Sequence, residues 1–460
     1  MLRIETRRSV ALLLSPLILL AAWWMAYNGM YGTMYEASWT GVYIWEETSS
    51  TLKDSVLQIG PLVAGLSAWA AGRNRRRGMD DLLSTTARPS ASRDLATWAG
   101  AALPAVAVYL LLAVLLGVPT ALEATWGAPL PGYFLVGLVA LLMDSALGLA
   151  AGYYLPGRFT APLAAVALYI AHLLPMGMVD LGINYTFLSP AAYSNLTGAD
   201  VFSEPARLAI QQLLLFGGLC GVALCAVALK GGGARKTARI ALAASGAVSA
   251  AGFATALSTE DLYVFPGSGD YPKAVAYEPV CREGGITVCV HPAYEKLLPE
   301  TARAVNEVAE PLVGIPAVPK YAVQSSPAPG AATGGFDPDE AVFFGYAGKL
   351  AMDEVADGIV DSNLYDHPGH EDLQPTQEDL RRCGKFPRKY LHPDVEAQTV
   401  VGGWLRMRAG GSRSVYTGEC PNADKLVDRF AALGPTERRA WLEKNFAGLR
   451  AGKVTLKDLP

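Results

Sequence analysis

The 460 residues of this chain predict an α-helical polytopic membrane domain of about seven spans, followed by a small extracytoplasmic α/β or α+β domain. Three observations predict it. Hydrophobic residues make up 51% of the chain and charged residues 17%, a balance unusual for a soluble protein and expected for a half-membrane one. Apolar runs crowd residues 1–257 and stop at Thr259-Glu260-Asp261. Basic residues fall in alternate connections between those runs. The net charge of −4 is small and gives no sign of a nucleic-acid partner.

A membrane helix needs ~20 mostly apolar residues. Seven stretches qualify, at about 9–28, 55–72, 95–118, 132–154, 159–180, 207–229 and 238–257. The second is short, and the fifth carries His172 and Pro175. The first resembles the apolar core of a signal peptide. It is long, however, ends in Trp23-Trp24-Met25-Ala26-Tyr27 and has no small-x-small cleavage site, so it reads as an uncleaved span.

Arginine and lysine placement sets the orientation. Arg3, Arg7 and Arg8 precede the first span, and Arg73, Arg75, Arg76, Arg77, Arg88 and Arg93 lie between the second and third. Arg158 sits between the fourth and fifth; Lys230, Arg235, Lys236 and Arg239 lie between the sixth and seventh. The other connections hold Lys53 and Arg207 among carboxylates such as Glu36, Glu46, Glu47, Glu123, Asp180, Asp200 and Glu204. The expectation is a multi-pass plasma-membrane protein with a cytoplasmic N-terminus and residues 258–460 outside.

Cys220 and Cys225 fall within the sixth span and read as small apolar packers. Cys281, Cys289, Cys383 and Cys420 lie in the C-terminal half, where four exported cysteines suggest two disulfides. Cys281 and Cys289 flank Gly284-Gly285 and suit a hairpin closure, which leaves Cys383 for Cys420. Three connectivities are open to four cysteines. Zinc or free thiols are the competing readings, and the chain has no C-x-x-C pair.

Residues 71–98 form a short, basic connection in which Met79, Leu82 and Leu83 share one face of a short helix and Asp80 and Asp81 another. Ser84-Thr85-Thr86 and Arg88-Pro89 break it, and Ser92 or Asp94 is placed to cap the next span. An ordinary positive-inside loop accounts for this equally well. The segment also resembles the cytoplasmic loop of type-two ABC transporter permeases, through Gly78, Leu82, Leu83, Thr85 or Thr86, Pro89, Ser90 or Ser92, and Arg93. The resemblance covers about residues 1–230; the seventh span and the exterior domain lie beyond the family core and look like an actinobacterial elaboration. Residues 1–8 match a short version of the family's amphipathic N-terminal segment. The resemblance implies that Arg76, Arg77, Met79, Asp80, Asp81, Leu82 and Leu83 dock on a separate cytoplasmic ABC ATPase. It also implies a second permease subunit, the same or different. The family's usual glutamate is replaced by Asp80 and Asp81. No phosphate loop is present; Gly231-Gly232-Gly233-Ala234-Arg235-Lys236-Thr237 has the wrong glycine spacing. No cofactor is expected in the chain, ATP being bound by the partner.

Asp144 in the fourth span is the most unusual intramembrane residue, since an ionisable group at that depth normally faces a cavity or a partner. His172, with Pro175, and Gln211 and Gln212 are its candidate neighbours. A proton relay or substrate contact competes with a hydrogen bond that merely fixes packing. Gly148, Gly152, Gly246 and Gly252 suit close helix approach.

In the C-terminal half, 286–290 alternates as a strand and 293–310 places Leu297, Leu298, Ala302, Val305 and Val308 at helical spacing. Residues 341–347 are an apolar run, 398–408 a strand or a buried helix, and 324–339 a Pro/Gly-rich loop. Helices at about 423–432 and 435–449 meet at Gly434-Pro435. The one histidine cluster, Asp366, His367, His370 and Glu371 with His392, is interrupted by Pro368-Gly369 and lacks the spacing of a zinc peptidase, so no catalytic or metal residue is assigned. No G-x-S-x-G elbow is present. The leading expectation is a permease subunit of an ATP-driven exporter, not itself an enzyme. The alternative is a membrane-anchored, extracytoplasmic ligand-binding or interaction protein.

Overall fold

The computed structural model describes residues 6, 9–28, 42–73, 90–155, 157–177, 185–191, 206–230, 235–257, 278–324, 336–337, 340–344, 351–360, 396–411 and 421–460. The chain divides into two compact units, residues 1–264 with 270–273 and residues 265–269 with 274–460.

Helices make up the first unit: α1 Val10–Asn28, α2 Trp45–Asp54, α3 Val56–Ala71, α4 Ser90–Glu123, α5 Pro131–Tyr154, α6 Thr160–Gly177, α7 Ala206–Lys230 and α8 Arg235–Leu257. Among the described residues, five helices are long and apolar enough to cross a membrane, with spans at Val10–Tyr27, Ala91–Glu123, Pro131–Tyr154, Leu208–Lys230 and Lys236–Leu257. The remaining two expected spans are also helical but shorter. Over its 16 residues α3 rises only ~24 Å, against ~30 Å of hydrocarbon. Helix α6 is apolar over Thr160–Pro175.

Two local details differ from expectation. Ser92 and Asp94 do not cap α4; the helix already runs from Ser90, directly after the Arg88-Pro89 break, so both lie inside its first turns. Helix α2 occupies what reads in the sequence as a polar connection, WEETSSTLKD. Its Glu46 and Glu47 sit in the first turn and Lys53 in the last, the arrangement that complements a helix dipole. No glycine or proline interrupts residues 45–59, so only a one-residue turn at Ser55 separates α2 from α3.

Small residues set the packing. Helix α3 contacts both α5 and α6, α5 also packs on α7, and α7 on α8. A Cβ on Gly148 or Gly152 would overlap the backbone of Ala64 or Ala68 across the α3–α5 contact. Gly218 and Gly252 bring α7 and α8 together in the same way, against Ser249 and the Leu215 backbone. Gly246 does not take part: it faces open space, because its side of α8 turns away from α7. Outward faces are apolar. Leu13, Leu17, Leu20 and Trp24 on α1 and Leu163, Val166, Ile170 and Leu174 on α6 are exposed.

The second unit is a four-stranded sheet with helices. Strands β1 Val280–Arg282, β2 Thr287–Val290, β3 Tyr321–Gln324 and β4 Ala341–Phe344 lie in the order β1-β2-β3-β4. The β1–β2 pair is antiparallel and the other two pairs are parallel. Helices α9 Leu298–Ala309, α10 Ala351–Val360, α11 Glu396–Arg408, α12 Pro421–Ala432 and α13 Pro435–Arg450 follow. The strand and helix expected at 286–310 are present, with a 3₁₀ turn at Pro292–Leu297 before α9. The ambiguous 398–408 run is a helix. Its Gly402 sits where a Cβ would lie 2.8 Å from Asp357 Oδ1, allowing α11 to approach α10 closely.

Alternation along the strands separates two faces. Val288, Val290, Ala322, Val342 and Phe344 join the core with Val305, Val308, Val355, Ile359 and Trp404. Cys289, Val323 and Ala341 point the other way, with Phe336. The wholly buried Arg406 guanidinium is paired with Asp357, which joins α11 to α10 through charge as well as apolar contact. Trp404, Phe430 and Trp441 form an edge-to-face series at 5.4 Å centroid spacing.

Candidate functional site

The strongest concentration of chemistry in the first unit lies where α3, α5 and α6 meet. Helix α6 turns inward a face that carries the half-buried Tyr169 and the buried His172, leaving Val166, Ile170 and Leu174 outward. The buried face brings His172 Nε2 to 3.0 Å from Asp144 Oδ2 and 3.2 Å from Oδ1. Asp144 is 0% exposed and His172 3%, so neither group is solvated. From the third side comes Gly60. A Cβ there would strike the Asp144 carboxylate, so the absence of a side chain at 60 makes room for the pair. Near it, Ser67 of α3 and Ser145 of α5 share a buried hydrogen bond of 2.9 Å.

Of the four intramembrane candidates, the fold brings together Asp144 and His172. Gln211 and Gln212 lie elsewhere and hold backbone. The Gln211 amide donates to Thr255 O at 3.0 Å, tying α7 to α8. Gln212 donates to Phe187 O at 3.2 Å and Ser189 O at 2.9 Å, anchoring the short turn at Thr186–Leu188. Pro175 lies one turn beyond His172 in α6.

A second polar group, read in the sequence only as loop charge, is packed inside the bundle. Glu47, Thr48, Ser49, Ser50, Thr51, Lys53 and Asp54 of α2 are all buried. Thr48 Oγ1 lies 2.6 Å from Thr120 Oγ1 of α4, and the Leu130 N–H donates to Ser49 Oγ at 3.2 Å. The Lys53 ammonium sits 4.5 Å from the centre of the Tyr133 ring. The uninterrupted helical run into α3 was the signal available for this element.

In the second unit, Cys281 and Cys289 are directly opposed across β1–β2 and form a disulfide with Cα atoms 4.0 Å apart. The free cysteines among the described residues are Cys220 and Cys225. A cavity of about 440 Å³ opens at the start of β2 and β3, lined by residues including Ile286, Thr287, Val313, Pro319 and Tyr321. Its one charged lining residue, Lys320, is held by Glu340 at 2.6 Å. His291 is buried at the end of β2, where Nδ1 accepts the Ala293 N–H at 3.1 Å and begins the 3₁₀ turn. Burial lowers its pKa to about 4.

Arg76, Arg77, Met79, Asp80, Asp81, Leu82 and Leu83 lie outside the described residues, as do Cys383, Cys420 and the cluster of Asp366, His367, His370, Glu371 and His392. Among the described residues, no group of three His, Cys, Asp or Glu side chains is gathered as a metal site. Comparison with protein-family models, with curated proteins and with solved structures found no match.

Proposed function

We propose that this chain is the membrane subunit of an ATP-driven ABC transporter, an exporter whose ATP is hydrolysed by a separate cytoplasmic subunit. The observation that carries the reading is the basic segment between α3 and α4. It holds Gly78, Leu82, Leu83 and Thr85 at the spacing of the family's loop, with Pro89 and Arg93 following two or three positions later than the family pattern, and it lies between α3 and α4 in the chain. A short docking element so placed transmits ATPase closure to α3, and through the Gly148 and Gly152 contacts to α5.

We infer seven crossings. Helices α2 and α3 together rise ~40 Å, enough for one crossing with the polar α2 toward the outer face. Five crossings or seven both place the N-terminus and the second unit on opposite sides of the membrane. Only seven keeps the segment from Arg73 to Arg93 on the side of Arg3, Arg7 and Arg8, as the basic-residue rule requires. The Cys281–Cys289 disulfide agrees with an oxidising exterior for the second unit.

The test is purification of the full chain from its native membrane. Co-purification of a P-loop ATPase is expected, together with its loss in an Asp80→Lys, Asp81→Lys, Leu82→Glu variant that still inserts. Absence of an ATPase, or its undiminished retention by the variant, overturns the reading.

A further inference from the structure

We propose that the Asp144–His172 pair is a proton-binding site, and that the number of protons it holds sets whether α3, α5 and α6 stay closed on one another. The inference rests on the membrane placement of the first unit and is independent of the ATPase.

The geometry leaves little alternative for charge. Asp144 and His172 face each other at 3.0 Å with no solvent, and Gly60 lets the α3 backbone close over the carboxylate. With one proton between them the pair is neutral overall, as carboxylate with imidazolium or as carboxylic acid with imidazole. A second proton leaves a net positive charge, and removal of the first leaves a net negative one. Either charge in an apolar, helix-packed site carries a heavy desolvation cost, relieved by parting the helices and admitting water. A histidine is the side chain best suited to change charge near neutral pH.

The surrounding elements offer little to compensate such a charge. Helix α3 brings no titratable side chain between Val56 and Ala71. Helix α6 brings Tyr169, and α5 itself Tyr133, Tyr153 and Tyr154 toward its ends. From α4 come Tyr109, which donates to Phe134 O at 3.1 Å, Arg93 and the half-buried Asp94 in its first turns, and Glu123 at its end. From α7 come Cys220, whose Sγ lies 3.7 Å from Leu142 O, and Cys225. Helix α2 brings Glu46 and the buried Glu47, Lys53 and Asp54 to the start of α5, where Lys53 lies over the Tyr133 ring and Ser49 holds the Leu130 N–H.

The experiment uses the full chain in phosphatidylcholine–phosphatidylglycerol nanodiscs, titrated from about pH 5 to 8. Infrared difference spectra should show a carboxylic-acid carbonyl band and an imidazole ring band that titrate, the first lost in Asp144→Asn and the second in His172→Gln. Hydrogen exchange in 136–152 and 162–175, corrected for intrinsic chemistry, should change several-fold with pH in the native chain. It should stay flat in the Asp144→Asn, His172→Gln double variant, whose amides keep a neutral hydrogen bond. Spectra of the native chain without either titrating band overturn the proposal, even if the double variant fails to fold. Equal pH profiles in both proteins also overturn it. No nucleotide enters the assay, so failure here leaves the permease reading standing, and loss of that reading leaves this one.

Discussion

His291 shows how one buried side chain ties the second unit to pH. Its ring is 1% exposed, and Nδ1 is committed to the Ala293 N–H, so protonation would add charge without solvent. The folded pKa of about 4 lies below the ordinary 6.5. The unfolded chain therefore takes up the proton first. The stability of the neutral ring is complete above about pH 6.5 and is lost as pH falls toward 4, by roughly 3 kcal/mol in all. Hydrogen exchange of 287–297 in the full chain should accelerate over that window, and His291→Gln should flatten the response. An identical acid response in the variant would remove His291 as its source. Asp144 and His172 are the counterpart in the first unit: each reads as an anomaly alone, and the meaning lies in their pairing.

At the scale of elements, close backbone approach does work that side-chain chemistry cannot. Gly148 and Gly246 are both glycines within apolar helices, yet only the first has another backbone against it. Gly148→Ala should destabilise the bundle by about 1–3 kcal/mol, because a methyl has nowhere to go. Gly246→Ala meets nothing within 4 Å and should be neutral or stabilise by up to about 1 kcal/mol, through higher helix propensity. Thermal unfolding of the two variants in nanodiscs decides it, and equal shifts would contradict the packing described. Period and composition made α1, α4, α5, α7 and α8 legible, along with β2, α9, α12 and α13. They failed at α2, where a polar run is helical because its hydroxyls meet Thr120 and the Leu130 N–H. They left α11 undecided, because a short apolar run suits a buried strand or a buried helix alike; the close approach of Gly402 to Asp357 belongs to the helix.

For the whole molecule, sidedness is the property from which the rest follows. In a Cys383→Ser, Cys420→Ser background, the Cys281–Cys289 disulfide gives a direct test. On intact cells, Cys281, the exposed partner, should react with a membrane-impermeant maleimide after brief treatment with an impermeant reductant, and not before. Labelling that requires cell lysis would put the second unit inside and reverse the proposed orientation. It would also remove the oxidising environment that the disulfide implies.

Sequence alone determined what depends on composition and period: five of the seven expected spans as helices long and apolar enough to cross a membrane, the mixed α and β character of the second unit, and the hairpin across Gly284-Gly285. These are local properties, carried by runs of neighbouring residues. Tertiary structure alone decided which polar residues meet. Asp144 and His172 are 28 positions apart and Gly60 lies on a third helix, so their junction depends on how α3, α5 and α6 pack. The same holds for Gln211 and Gln212, which the sequence offered as candidate neighbours of Asp144 and packing turned toward backbone carbonyls instead. Hydrophobic pattern selects the face a helix buries; the small residues opposite it select the neighbour.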